Sequence, residues 1–89
     1  MKVVMLFRPD SGHARAVETF VHDFKSRYSE AKVELVNIDE REGIALASLY
    51  DIMQFPAVLA LAGDGTLLQM WQGSQMPLMN EVAAYLISR

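Results

Sequence analysis

The 89-residue sequence predicts an α/β fold in which one four-stranded mixed sheet carries helices on both faces. Three observations carry that expectation. The apolar run "KVVMLF" near the N-terminus is valine-rich, has no helical period, and reads as a strand buried on both faces. Apolar residues at helical spacing and then a second strand-like run follow it, which is the pattern of a parallel βαβ unit. Further on, two strand-like runs are separated by Gly63, Asp64 and Gly65, and Asp-Gly between such runs marks an antiparallel hairpin.

The first strand, β1, spans Lys2 to Phe7 and is ended by Pro9, Asp10 and Gly12. From Gly12 to about Tyr28 the residues Val17, Phe20, Val21, Phe24 and Tyr28 fall on one face at 3.6-residue spacing, which gives a long amphipathic helix, α1. "KVELVNI", Lys32 to Ile38, alternates Val33, Leu35 and Asn37 against Glu34, Val36 and Ile38 and reads as β2. After the charged turn "DEREG", the stretch Ile44 to Ile52 has helix-forming content, and Pro56 bars its continuation, so α2 is a second, shorter helix. Pro56 to Ala62 and Thr66 to Gln72 form the hairpin strands β3 and β4. Finally, Pro77 to Ser88 sets Leu78, Met79, Val82, Leu86 and Ile87 on one face with a proline suited to the first turn, giving α3.

Composition limits what such a chain does. Apolar residues make up 52% and charged residues 21% with no low-complexity tract, so a single packed domain over residues 1–89 is expected. The net charge is −3 and the eight Lys and Arg are scattered, which leaves no electrostatic footprint for nucleic acid. Val3 to Phe7 is too short for a signal-peptide core or a membrane span, so no membrane is expected and the default compartment is the cytoplasm. The absence of cysteine removes disulfides, thiolate ligands and thiol catalysis together. With His13 and His22 far apart in the chain and no His/Asp/Glu cluster at ligand spacing, neither a metal nor any other cofactor is expected.

The segment "LYDIMQFPAVLALAGDGTLLQMWQG", Leu49 to Gly73, resembles the thioredoxin-like superfamily in the order and spacing of helix end, loop, proline, strand, Gly-containing hairpin, strand and glycine. The whole order β1-α1-β2-α2-β3-β4-α3 is similar to the minimal, glutaredoxin-sized form of that fold. The resemblance implies a cis Phe55–Pro56 bond, where a general preference for trans must be overcome. It also places the family's Cys-x-x-Cys turn on "SGHA", Ser11, Gly12, His13 and Ala14, so both cysteines are absent. Gly12-His13 is the middle pair found in disulfide isomerases, and "RPD" before it resembles the glutaredoxin approach to the motif. Met5 stands where many thioredoxins carry a buried acid, six positions before the first motif cysteine. That favours a turn naturally free of thiols over a pair of engineered replacements, although glutaredoxins lack the acid too, and both origins stay open.

Thiol exchange needs one thiolate to attack and a second thiol to resolve the mixed disulfide, and Ser11 and Ala14 supply neither. A helix N-terminus is worth about 0.3–1 kcal/mol at an exposed site, under one pKa unit, and cannot make Ser11 an alkoxide. Nor does a G-x-S-x-G elbow surround Ser11, and His13 in a first helical turn should point away from it. Ser11, or Asp10, is therefore expected to be the N-cap of α1, with its oxygen accepting a backbone N–H. The expected His13 is an exposed, neutral imidazole, and His22 a helix-flank residue without function.

The leading expectation is a redox-inactive module that binds a protein or peptide on the surface of Arg8, Ser11, Gly12, His13, Ala14, Phe55, Pro56 and Trp71. There a segment can pair with the backbone beside the cis-proline, with Met53 and Met76 as further apolar contacts. The alternative is a glutathione-binding or transferase-like enzyme in which Ser11 contacts a thiol and Arg8, three positions earlier, binds a carboxylate. Against it, Phe55-Pro56-Ala57 replaces the Thr-Val-Pro loop of glutaredoxins, "QGSQMP" lacks their acidic pair, and the helical second domain of transferases is not expected here. A third reading is self-association through edge strands and the six methionines, so the chain is a monomer or a weak homodimer.

Overall fold

Val3, Met5 and Phe7 leave one side of β1 (Lys2–Phe7) and Val4 and Leu6 leave the other, and all five side chains are buried. Each contributes roughly 1.5–3 kcal/mol relative to exposure, more than a surface ion pair at about 0–1 kcal/mol, so this strand must lie at the centre of the molecule. The computed structural model describes residues 2–73 and 76–87, without the side chains of 86 and 87, and shows that arrangement. The sheet order is β2-β1-β3-β4, with β2 (Lys32–Asn37) parallel to β1, β3 (Ala57–Leu61) antiparallel to β1, and β4 (Leu67–Gln72) antiparallel to β3.

One core lies between the sheet and the helices α1 (Ala14–Arg27) and α3 (Met79–Ile87), built on Val3, Met5, Phe7, Val17, Phe24, Val58 and Val82. The face expected for α1 is the one observed, with Val17 and Phe24 fully buried and Phe20 and Tyr28 partly so. The opposite core joins Val4, Leu6, Val36, Ile38, Leu59 and Leu61 to α2 (Arg41–Leu49), so helices do cover both faces. Leu35 shares the α1 side of β2 and is half-exposed, because β2 is an edge strand.

Three helix starts differ from expectation. The helix α1 begins at Ala14, two residues past Gly12, after a turn closed by the Ala14 N–H on the Ser11 carbonyl (3.3 Å). The helix α2 begins at Arg41, so most of the charged "turn" is its solvated first turn; Gly43 is buried there because a Cβ would lie 2.7 Å from the Ile38 Cα and collide with the Asn37 carbonyl. That glycine permits a helix to approach a strand and does not mark a loop. The helix α3 begins at Met79, with Leu78 exposed and its N–H held by Glu81 Oε1 at 2.9 Å, half of a capping box. Leu86 and Ile87, expected on the buried face, lie outside the described side chains.

Two turns are settled locally. At the end of α2 the Ile52 N–H donates to the Ala47 carbonyl (2.8 Å) and the Asp51 N–H to Ser48 (3.4 Å), a Schellman motif whose left-handed position is Asp51 at φ 59°. The hairpin loop Gly63-Asp64-Gly65 has three residues: the Gly65 N–H donates to Ala62, Gly65 takes φ 92°, and Asp64 Oδ1 accepts the Thr66 N–H at 3.0 Å.

Two outcomes follow from these contacts. Although Gly to Ala inside a helix is ordinarily favourable by about 1 kcal/mol, Gly43→Ala should destabilise the protein by about 1–3 kcal/mol, read as a lower denaturant midpoint, because the methyl meets backbone that cannot move away. The hydrogen bonds from Thr66, its backbone N–H first and its side chain next, hold the Asp64 carboxyl below its ordinary 3.8. The stabilisation they give is full above that ordinary value and is lost as pH falls through the lower folded-state one. A carboxyl-carbon NMR titration should place the Asp64 midpoint below 3.8.

Candidate functional site

Arg8 follows β1 directly and organises the turn that precedes α1. Its carbonyl accepts the Ser11 N–H at 3.0 Å and the Ser11 hydroxyl at 2.6 Å. Its own N–H donates to His13 Nε2 at 3.2 Å. Its guanidinium forms a two-pronged pair with the Asp39 carboxylate, both contacts at 3.2 Å, across to the loop that follows β2. Asp39 is itself oriented by its N–H on Asn37 Oδ1 at 2.8 Å.

This arrangement corrects two expectations. Ser11 does not cap α1: its hydroxyl donates back to the Arg8 carbonyl, the capping position falls on His13, and His13 makes no side-chain cap bond. The tight turn explains the change, since it brings the Arg8 carbonyl closer to Oγ than any helix N–H. His13 is half-buried, not exposed, and its Nε2 accepts the Arg8 backbone N–H. Ser11 and His13 are thus both tied to the backbone of Arg8 and not to each other, and the turn contains no serine–histidine dyad. His22 is exposed and meets only Asp23, at 3.4 Å.

A second segment comes from the loop between α2 and β3. The Phe55–Pro56 bond is cis, as the resemblance implies, and Pro56 is buried. The loop before it is fixed from β4: Gln72 Oε1 accepts the N–H groups of Met53 at 2.9 Å and Gln54 at 3.0 Å. Behind it, the Gly73 N–H donates to the Pro56 carbonyl at 3.1 Å, and Gly73 adopts φ 110°. That left-handed backbone accounts for the glycine, since a Cβ there would meet only the movable end of the Gln54 side chain, Oε1 at 2.8 Å. Among the described residues, neither the N–H nor the carbonyl of Phe55 has a hydrogen-bond partner. Met53 is 81% exposed beside it.

The remaining expected residues are placed less openly. Ala14 is buried in the α1 core, and Gly12 is exposed with open space around it. Phe55 is partly buried against the α2-side core, whereas Trp71 and Met76 pack against the α1-side core, Trp71 edge-on to Tyr85 at 5.9 Å between ring centres. Met5 is fully buried, so the position where many thioredoxins hold an acid is apolar here. Ser74 and Gln75, in the turn after Trp71, lie outside the described residues. Asp39 and Gln72 escaped sequence reasoning. They act on residues 31 and 18–19 positions away, and only the Asn-x-Asp pattern at Asn37 hinted at a local turn.

No protein-family model matches the chain, and no curated protein sequence matches it. Solved structures do. Thioredoxin-2, a component of the malaria parasite protein secretion machinery, is similar with a TM-score of 0.79 at 17% identity, over 99% of this chain and 82% of its own. The germline-specific thioredoxin Deadhead of the fruit fly Drosophila melanogaster gives 0.74 at 19% identity, over 96% and 76% of the two chains. Thioredoxin 1 of the thermophilic eubacterium Thermosipho africanus gives 0.72 at 12% identity, over 97% and 94%. Likeness at this identity establishes the architecture: the chain has a thioredoxin-like fold, without a cysteine in it. No helix among the described residues is long and apolar enough to cross a membrane.

The Gln72 amide is the support of the loop before Pro56. Gln72→Ala should cost about 1–2 kcal/mol, for two lost bonds to backbone amides that solvent only partly replaces. Hydrogen exchange at the amides of Met53 and Gln54 should accelerate more than at any amide of β1.

Proposed function

We propose that this protein is a redox-inactive, thioredoxin-like binding module of the cytoplasm that holds an extended protein or peptide segment beside Pro56. The backbone of Phe55, without a hydrogen-bond partner among the described residues, carries this reading. One N–H and one carbonyl stand on a loop already fixed by Gln72, so a segment gains two main-chain hydrogen bonds without the cost of ordering its receptor. Two such bonds amount to about 1–3 kcal/mol, short of the roughly 8 kcal/mol of a micromolar complex. Apolar contact at Met53 and the rims of Phe55 and Trp71 supplies the remainder, with Arg8, Ser11, Gly12 and His13 as the further residues of the surface and Ala14 buried beneath them.

The glutathione-handling alternative draws less from the geometry. The Arg8 guanidinium is engaged by Asp39, and the Ser11 hydroxyl donates to the Arg8 carbonyl, so carboxylate binding and thiolate stabilisation each require an existing hydrogen bond to break. The test is capture of partners from native extract by the protein and by Met53→Asp and Phe55→Ala, with folding of each verified by amide spectra. Partners retained by the parent and lost by both variants are the expected result, and equal recovery by all three would end the proposal. In the same spectra, millimolar glutathione should leave Arg8 and Ser11 unmoved; saturable shifts there would favour the enzyme instead.

A further inference from the structure

The two edges of the sheet are built differently. The outer strand β2 carries Lys32 and Glu34, and Glu34 pairs with Lys2 of the neighbouring strand at 3.0 Å. Charges of this kind oppose the addition of another strand. The other edge, β4, reads "LLQMWQ", with no charged residue and no proline, and its one partner in the sheet is β3. Leu68 is exposed at a register irregularity in this strand.

Hydrogen-bond alternation identifies the groups that face outward. Gly73 donates inward to Pro56, so in the antiparallel pairing Trp71 and Gln69 also face β3, while Met70 and Gln72 turn their backbone groups to solvent. One of these is already occupied: the Met70 N–H donates to Oε1 of its neighbour Gln69 at 2.8 Å, and the Nε2 of that amide donates to the Tyr85 hydroxyl at 3.2 Å. A glutamine anchored on α3 thus covers one donor of an otherwise unguarded strand edge.

We propose that the outer edge of β4 is a self-association surface, where two copies pair their β4 strands antiparallel about a twofold axis, and that the Gln69 side chain restrains this pairing by holding the Met70 amide. A second copy is the occupant that the chemistry fits. Twofold pairing joins the outward groups of both copies at once, and because the strand is uncharged it opposes no like charges. The strand is six residues long, against the roughly 20–30 residues a side of a standard interface, so the dimer forms only at high protein concentration. This surface adjoins the loop before Pro56 through the Gln72 side chain but uses other backbone groups than Phe55, and neither proposal depends on the other.

Sedimentation equilibrium between about 10 µM and about 1 mM, the range in which an interface this small associates, tests it. The weight-average mass should climb toward that of a dimer. Met70→Pro removes an outward N–H that the β3 ladder does not use, and Leu68→Lys places a charge at the edge without altering the backbone; both should stay monomeric throughout. Gln69→Ala should raise the association constant roughly 2- to 10-fold by releasing the Met70 amide. A parent protein that is monomeric at every concentration overturns the proposal. So does association that survives both edge variants or is abolished by Met53→Asp, and an association constant unchanged or lowered in Gln69→Ala overturns the restraint.

Discussion

Because Val3, Met5 and Phe7 pack toward α1 and α3 while Val4 and Leu6 pack toward α2, β1 has to be covered on both faces and flanked on both sides. The rest of the topology follows from that double burial. A helix leaving the end of β1 returns the chain to a parallel neighbour, β2, and the hairpin closes the other flank with β3 antiparallel. At the end of β1, where the buried run stops at Phe7, the next residue is Arg8, whose amide, carbonyl and guanidinium all bond across the turn. The turn that Arg8 organises is therefore the first point at which the central strand emerges from the core.

At that point, polar ties between Arg8, Ser11, His13 and Asp39 occupy the turn where the fold's thioredoxin relatives are expected to carry sulfur. Their energies are modest: the Arg8–Asp39 pair is half-exposed and worth about 0–1 kcal/mol, and each neutral hydrogen bond about 0.5–1.5 kcal/mol. They do not hold the fold together, which the two apolar cores do. What they decide is which atoms of the turn remain free: Ser11 and His13 are engaged, whereas among the described residues the backbone of Phe55 is not.

Periodicity made the architecture legible in the sequence, since β1 without helical period, the 3.6-residue face of α1 and the Asp-Gly hairpin each have a local physical cause. The start of α2 was misread because Gly43 and its charged neighbours look like a turn until the strand backbone against Gly43 is known. Ser11 was misread for a related reason: a serine before a helix is an N-cap by local preference, and the closer acceptor, the Arg8 carbonyl, becomes available only in the folded turn. The roles of Asp39 and Gln72 had no local signature, because each bonds to residues distant in sequence and adjacent only in the sheet.

The glycines show how unevenly this molecule tolerates change. Gly12, in the turn before α1, has empty space where a side chain would go. Gly73, behind Pro56, has a positive φ and the Gln54 amide against it. A side chain at position 12 is sterically free, whereas one at position 73 must take a left-handed backbone that favours glycine. The chain thus carries a position open to any residue and a position all but reserved for one.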